Sequence, residues 1–428
     1  MSEYTEVEQP FLQQLEELDW DHVIDQGPDI PQNPDRSLRQ NFRQWILPGV
    51  FKSSVTKINK TGDGVSWLTE KQLQDLQDQI LRQPNRTLLE ANENIQKLLF
   101  KTQVDENEVT GEQDPVVKLI DFANPENNTF HAVNQFRIDT PGCVKQFIIP
   151  DIVLFVNGIP LIVVECKKGG PTCANPMFEA FEQLQRYMNR REETKKHGLK
   201  EGEPRLFYTN MMLIRTCDNE ADYGTFTSGL EHFYPWKTQW PENDSITKGM
   251  SQQQQLISGM LNKQNLLSIL RTCTVFMDTD AGPRIKVVCR YQQFRAAHKI
   301  VQKLRNGQTA AEKSGVVWHT QGSGKSLTMV FVARMLRASR DLSDYKILLI
   351  NDRTDLEDQL AETATIIGGR VNTIESTDAL RKNLATDSSD INMVMVHKFQ
   401  LRDKSMPLSL LKLWGHTKPF QLLTPSAL

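Results

Sequence analysis

Apolar positions at 7, 11, 12, 15 and 18 (Val7, Phe11, Leu12, Leu15, Leu18) fall at helical spacing and predict an amphipathic helix over residues 6–20. Residues 70–99 keep the same period and break at Pro84. From about residue 115 to 165 the texture shortens to apolar runs separated by Asn, Pro and Gly. These predict strands over 116–122, 130–138, 147–156 and 161–165. A helix over 176–191 follows, with Met177, Phe181, Leu184 and Met188 on one face, then strands over 206–208 and 211–216.

Residues 235–265 are rich in Pro, Trp, Gln, Asn and Gly, with four glutamines at 252–255, and read as an interdomain connection. Beyond them strands and helices alternate. Strands are predicted over 315–318, 346–350 and 392–396, with helices starting at Lys325 and Thr354. Alternation of this kind implies a parallel sheet covered by helices. The expected class is α/β: a domain over 1–234 with a mixed central sheet flanked by helices, a connection over 235–265, and a parallel-sheet domain over 266–428.

Composition changes this picture little. At 428 residues, 39% hydrophobic and 24% charged, the chain is a globular protein too long for one ordinary core. No segment approaches the ~18 consecutive apolar residues of a membrane span. The acidic, polar start (Met1 to Glu6) is not a secretory signal. Six cysteines stand apart at 143, 166, 173, 217, 273 and 289, which suggests reduced thiols in a cytoplasm and no zinc site. A net charge of −3 places any nucleic-acid contact in local basic patches. The run Arg186, Arg190, Arg191, Lys195, Lys196 is such a patch or, equally, a solvated helix face.

Candidate chemistry begins at Pro150-Asp151, followed after thirteen residues by Glu165-Cys166-Lys167 at the end of an apolar run. Two carboxylates and a lysine at this spacing can hold Mg²⁺ through oxygen ligands and polarise a water beside a phosphodiester. Asp151 and Glu165 are the metal ligands in this reading, and Lys167 orients the water or offsets developing charge. A surface hairpin with an ordinary Glu–Lys pair shows the same spacing. Glu165 and Lys167 share one strand face, while Cys166 points the other way. Lys168, on that other face, should be dispensable. A two-residue loop at Asn157-Gly158 pairs Asp151 with Val164 and leaves Asp151 and Glu165 on opposite faces. A shared site therefore demands a bulge or an odd-length loop, most simply Asn157-Gly158-Ile159. Pro160 fits an irregular entry to the strand. Gln183 and Tyr187, four apart on the following helix, project together toward the DNA backbone or the metal site.

The second constellation runs from the apolar segment 315–318 through His319-Thr320-Gln321-Gly322-Ser323-Gly324-Lys325-Ser326. In a strand, Gly-rich loop and helix, loop amides cradle phosphates, Lys325 reaches the β/γ oxygens and Ser326 holds Mg²⁺. Thr320, Gly322, Ser323, Gly324, Lys325 and Ser326 are the candidates for binding ATP. The strict pattern has Gly where this chain has His319. Upstream, Gln293 is the choice for reading the adenine edge, with Phe276 packed on the base. Asn351-Asp352-Arg353-Thr354 suits a loop that tracks a nucleic-acid strand.

Taken together these segments resemble the restriction (R) subunit of type I restriction-modification systems, from about Glu8 to Arg402. The resemblance rests on Leu119-Ile120-Asp121-Phe122 with 124–128, Asn134-Gln135-Phe136, the Asp151 and Glu165 segments, Gln183 to Tyr187, Arg290 to Gln293, the phosphate loop, and 352–356. It implies a PD-(D/E)xK nuclease domain, then a RecA-like lobe of a superfamily-two helicase motor that acts on double-stranded DNA. It also implies assembly with methyltransferase and specificity subunits; no membrane partner is expected, given the lack of a long apolar run. Catalytic roles then carry over to Asp151, Glu165 and Lys167. Gln183 and Tyr187 match the family's Gln-x-x-x-Tyr element, and Glu8 matches the acidic residue that many such nucleases place in the first helix.

One departure limits the motor. It needs an Asp-Glu pair ending a strand, and none follows Lys325; the strand over 392–396 ends in His397. The segment 419–428 does not resemble the family. The expectation is a truncated or frame-disrupted R subunit that keeps its Mg²⁺-dependent nuclease. The alternative is a catalytically silent remnant that only binds DNA, ATP or the methyltransferase core.

Overall fold

Two neighbouring strands, Ile152–Val156 and Ile159–Lys167, are buried along almost their whole length, as befits a sheet covered on both faces. They belong to a computed structural model that describes residues 2–171, 173–241, 248–279, 282–320, 323–351, 371–374, 376–386, 391–395 and 420–423. The chain divides into two compact units. The first comprises Met1–Leu270 and Phe276–Val288, the second Arg271–Val275 and Cys289–Leu428. Among the described residues no helix is long and apolar enough to cross a membrane. All six cysteines are free.

The first unit is built on a six-stranded mixed sheet whose spatial order follows the chain: β1 (His22–Ile24), β2 (Phe130–Asn134), β3 (Ile152–Val156), β4 (Ile159–Lys167), β5 (Met212–Cys217) and β6 (Glu220–Gly224). β1 runs parallel to β2 and β4 parallel to β5; the other pairs are antiparallel. The N-terminal helix opens with a π-helical turn (Tyr4–Glu8) and continues as α1 (Gln9–Glu17), burying Phe11, Leu12 and Leu15. Further helices are α2 (Pro48–Ile58), α3 (Glu70–Leu81), α4 (Leu88–Phe100) and α5 (Pro176–Tyr187), the last packed on β4 and β5. Capping boxes at Thr69/Gln72 and Thr87/Glu90 start α3 and α4 separately, with Pro84 in the link between them.

Residues 235–265 also belong to this unit. Helix α6 (Gln252–Met260) packs on β6 and α1, and Gln253 donates to Thr216 Oγ1 at 2.8 Å while accepting from Gln14. Trp20 donates to Leu261 O at 3.0 Å. The buried Lys286 donates to Asn92 Oδ1 and Asn210 O, both at 2.7 Å.

The second unit carries four parallel strands, β7 (Lys346–Asn351), β8 (Val371–Ile374), β9 (Ile391–Met395) and β10 (Phe420–Leu423), in the order β8-β9-β7-β10. Helix α7 (Tyr291–Asn306) packs against α8 (Lys325–Ala338), and α9 (Thr377–Ala385) covers β8. The predicted helix from Thr354 lies outside the described residues.

Three predicted strands do not form as expected. Residues 315–318 are coil, with Val316 and Trp318 exposed, and among the described residues they pair with no strand. Of 116–122 only Val116–Val117 pairs. Asp121 and Asn128 satisfy the rest locally, Asp121 Oδ1 accepting from the N–H groups of Ala123 and Asn124. Pro204–Phe207 is a 3₁₀ turn, fixed by Pro204 and by Glu203 accepting from Arg205 N. The general architecture, mixed α/β with a mixed sheet, is as expected.

The β3–β4 hairpin is anchored at its tip. Asn157 and Gly158 both have positive φ (50° and 76°). Asn157 donates to Leu119 O and Asn128 Oδ1, each at 2.9 Å, and Gly158 O accepts from Leu47 N at 2.9 Å. A Cβ on Gly158 would lie 2.6 Å from Leu47 O and 2.7 Å from Phe51 N. Gly158→Ala combines that overlap with left-handed strain and is expected to destabilise the first unit by about 2–3 kcal/mol, read by urea unfolding. An unchanged midpoint would show that the hairpin tip is free to move.

Candidate active site

The register of the β3–β4 hairpin decides whether Asp151 and Glu165 can act together. Beside the two-residue turn, Ile159 opposes Val156 and Pro160 opposes Phe155. The register then shifts between Pro160 and Ile162, so that Ile162, Val163 and Val164 oppose Leu154, Val153 and Ile152. Leu161 is the extra residue of a β-bulge, and one step further the ladder sets Asp151 opposite Glu165 on the same face. The odd residue that a shared site demands is therefore supplied by a bulge inside the strand. The three-residue loop Asn157-Gly158-Ile159 is not the solution used.

Asp151 Oδ2 accepts from Cys166 N at 2.8 Å and lies 3.4 Å from Lys167 Nζ. The Lys167 ammonium donates to Glu165 Oε1 at 2.6 Å and to Cys166 O at 2.7 Å. Burial pushes the Asp151 carboxyl up, opposed by Lys167 and the Cys166 N–H. Burial, with the Asp151 charge beside it, pushes Glu165 up further. Burial alone would pull Lys167 down, but Glu165, Asp151 and Glu3 outweigh it and hold the ammonium well above its ordinary range. Glu165 is fully buried, and its Oε2 has no hydrogen-bond partner. An orphaned buried carboxylate oxygen is costly, and a divalent cation is the partner its chemistry suits.

The N-terminal segment brings two more carboxylates. One oxygen from each of Glu3, Glu8 and Asp151 lies within 4.8 Å of the others. Glu3 Oε2 accepts from Lys168 N at 3.0 Å and its Oε1 sits 3.8 Å from Lys167 Nζ. Gln135 Nε2 lies 3.1 and 3.0 Å from the two Glu8 oxygens. Burial first, then the Asp151 charge, pushes Glu8 up to about 8, against the pull of the Gln135 hydrogen bond. Sequence reading reached Glu8 through resemblance alone and missed Glu3 and the part played by Gln135. Glu3 and Glu8 are five apart across a π-helical turn, a spacing that an α-helical period does not bring together. The Lys168 ammonium pairs with Glu6 at 2.5 Å.

Gln183 and Tyr187 do project together: Gln183 Nε2 donates to Tyr187 Oη at 3.0 Å, and that hydroxyl donates to Ile149 O at 2.8 Å. Tyr187 is fully buried, and burial with the nearby Glu165 and Asp151 charges pushes its hydroxyl well up. It supports the segment leading into Asp151. In the basic run, Arg190 donates to Phe226 O, and Arg191 pairs with Glu182, Glu193 and Glu201 at 3.6, 3.2 and 3.7 Å. Those two arginines are engaged within the fold.

In the second unit the loop reaches α8 through Gly324, whose φ is 77°. Ser323 Oγ donates to Thr320 O, and Lys325 and Ser326 open the helix, whose free N–H groups suit an anion. Gly322 lies outside the described residues. Gln293 is buried; its Oε1 accepts from Arg290 N at 2.8 Å and its Nε2 donates to Ser323 O and Gly324 O at 3.3 and 3.1 Å. A Cβ on Gly324 would meet that nitrogen at 2.3 Å. In this structure Gln293 thus braces the loop.

Residues 1–242 match the family model of the type I restriction enzyme R protein N terminus, and residues 292–418 match that of the SWI2/SNF2 ATPase. The chain is 30% identical over 408 residues to the type I restriction enzyme HindI endonuclease subunit of Haemophilus influenzae, covering 93% of this chain and 36% of that protein. It is 25% identical over 411 residues to the type I restriction enzyme SauMSSORF170P endonuclease subunit of Staphylococcus aureus, covering 95% and 36%. The chain belongs to the type I restriction enzyme R protein family and corresponds to its N-terminal portion. It spans about a third of the length of the curated relatives it matches.

The raised Glu8 has a consequence for stability. The folded chain holds its proton up to about pH 8, whereas the unfolded chain releases it near the ordinary value of 4.5. Between these limits the folded state binds the extra proton, so Glu8 makes stability fall as pH rises, levelling off above about pH 8. Glu8→Gln is expected to flatten that decline and to stabilise the metal-free chain at pH 9, on the order of a few kcal/mol. Urea unfolding from pH 5 to 9 checks this; parallel curves for parent and variant would contradict it.

Proposed function

We propose that this chain is the DNA-cleaving portion of a type I restriction enzyme, hydrolysing phosphodiesters of double-stranded DNA with Mg²⁺ at Asp151, Glu165 and Lys167. In this reading residues 1–234 form a PD-(D/E)xK nuclease domain, the connection over 235–265 packs onto that same unit, and a RecA-like lobe lies within 266–428. The observation that carries it is the bulged register, which sets two buried carboxylates on one face with Lys167 between them and one Glu165 oxygen unpartnered. Asp151 and Glu165, joined by Glu8, would hold the cation, which when bound lowers the pKa of its water toward neutrality and offsets phosphate charge.

The chain's own residues do the rest. Lys167 Nζ, fixed by Glu165 and Cys166 O, stands ready to orient the attacking water and to face the charge that develops on phosphorus. Tyr187 and Gln183 brace the strand entry that carries Asp151. Burial excludes bulk water, so each of these interactions acts in a low dielectric.

The loop from Thr320 through Gly322, Ser323, Gly324, Lys325 and Ser326 would bind ATP phosphates and their Mg²⁺, with Gln293 bracing it. In this reading the phosphodiester chemistry at Asp151, Glu165 and Lys167 itself draws on no group of the ATP loop. The methyltransferase and specificity subunits would supply sequence recognition.

The test is nicking of supercoiled plasmid by the purified chain with Mg²⁺ and no ATP. Nicking is expected for the parent, with Asp151→Ala abolishing it and Lys167→Ala lowering its rate at least about 100-fold. Nicking that persists in Asp151→Ala overturns the assignment. A folded parent that binds DNA without nicking it is the silent remnant instead.

A further inference from the structure

Gln135 stands just past the end of β2 with φ 45°, in the left-handed region where a long side chain is disfavoured by about 1–2 kcal/mol. Three contacts impose that conformation. Its backbone N–H donates to Asp151 O at 2.7 Å, the next N–H, from Phe136, donates to Pro150 O at 2.9 Å, and its own carbonyl accepts from Gln26 Nε2 at 3.3 Å. Asn134 beside it is fully buried, accepting from Gln26 N at 2.6 Å and donating to Asp25 Oδ1 at 3.1 Å. The backbone of Gln135 is thus clamped to the residue that carries one candidate ligand.

Its side chain reaches the other. The Nε2 group contacts both oxygens of Glu8, at 3.1 and 3.0 Å, and Glu8 is buried. One residue therefore links the main chain of Asp151 to the carboxylate of Glu8, and those two side chains bring oxygens within 4.8 Å of each other. Strain of this kind persists where the surroundings over-determine it, and it is concentrated at functional sites. A residue needed only for the turn would be Gly, Asn or Asp, which tolerate positive φ more readily.

We propose that Gln135 is the positioning residue of the metal centre: its strained backbone and single amide fix the Glu8 carboxylate against Asp151 so that both close on one divalent cation. The inference rests on the metal-dependent reading above. Hydrogen-bond partners of metal ligands typically set affinity by about 10- to 100-fold.

The experiment is Mn²⁺ titration calorimetry on the full chain, with thermal melting of the metal-free protein alongside. Gln135→Gly accepts the positive φ and removes the amide. Gln135→Asn accepts it and keeps an amide one methylene too short to reach Glu8. Asp151→Ala is the control. The expected result is Mn²⁺ binding by the parent, none by Asp151→Ala, and about 10- to 100-fold weaker binding by both Gln135 variants with melting temperatures at or above the parent's.

Parental affinity in either Gln135 variant, with Asp151→Ala still defective, overturns the positioning role and leaves the metal reading standing. Affinity that falls only together with the melting temperature in both variants assigns Gln135 to folding and also overturns the role. A parent that binds no better than Asp151→Ala removes the metal reading itself, and the inference with it.

Discussion

One extra residue in one strand decides what this sheet can do. Without the bulge at Leu161, the turn at Asn157-Gly158 would set Asp151 opposite Val164 and send its carboxylate to the face away from Glu165. With it, the two acids become cross-strand neighbours, and Lys167, two residues on, joins them. The bulge is held from outside. Pro160 precedes it, the turn is wedged against the start of α2 through Leu47, and Met211 N donates to Leu161 O at 2.6 Å on the other side. The register is thus fixed by packing on both flanks of the hairpin.

The site that results is electrostatically unbalanced. Glu3, Glu8, Asp151 and Glu165 converge on a region where Lys167 pairs with Glu3, Asp151 and Glu165, and burial raises all four carboxyls. Desolvated like charges are kept together only when something else compensates, since each ion loses hydration that its neighbours cannot replace. A divalent cation would restore that balance, and the unpartnered Glu165 Oε2 marks where compensation is lacking. The same imbalance accounts for the hydrogen bonds that converge from elsewhere, from Cys166 N to Asp151, from Lys168 N to Glu3 and from Gln135 to Glu8.

Much of this was legible in the sequence, for identifiable reasons. Apolar runs of strand length gave β4 and β5 nearly to their ends, because strands buried on both faces carry few polar residues, while the run expected over 147–156 splits into Phe147–Ile148 and β3. Glu165 and Lys167 could be placed on one face from the two-residue period, and the need for an odd residue before Asp151 followed from the same period. Where that residue sits could not be read, because a bulge depends on how the turn packs on α2. Glu3 was invisible because a π-helical turn breaks the helical spacing. The run over 315–318 misled because β propensity depends on context and does not by itself supply a strand partner. Gln293 looked like a base reader from its chemistry, while the structure engages both ends of its amide in the loop and its own helix cap.

In the proposed function the bulged hairpin creates a divalent-cation site between Asp151 and Glu165. Anomalous diffraction from crystals grown with Mn²⁺ would locate that ion. The prediction is a peak within about 2.0–2.3 Å of carboxylate oxygens of Asp151 and Glu165, that is, at Mg²⁺-like range. Well-ordered carboxylates with no peak between them, or a peak only at surface acids such as Glu192 and Glu193, would contradict it.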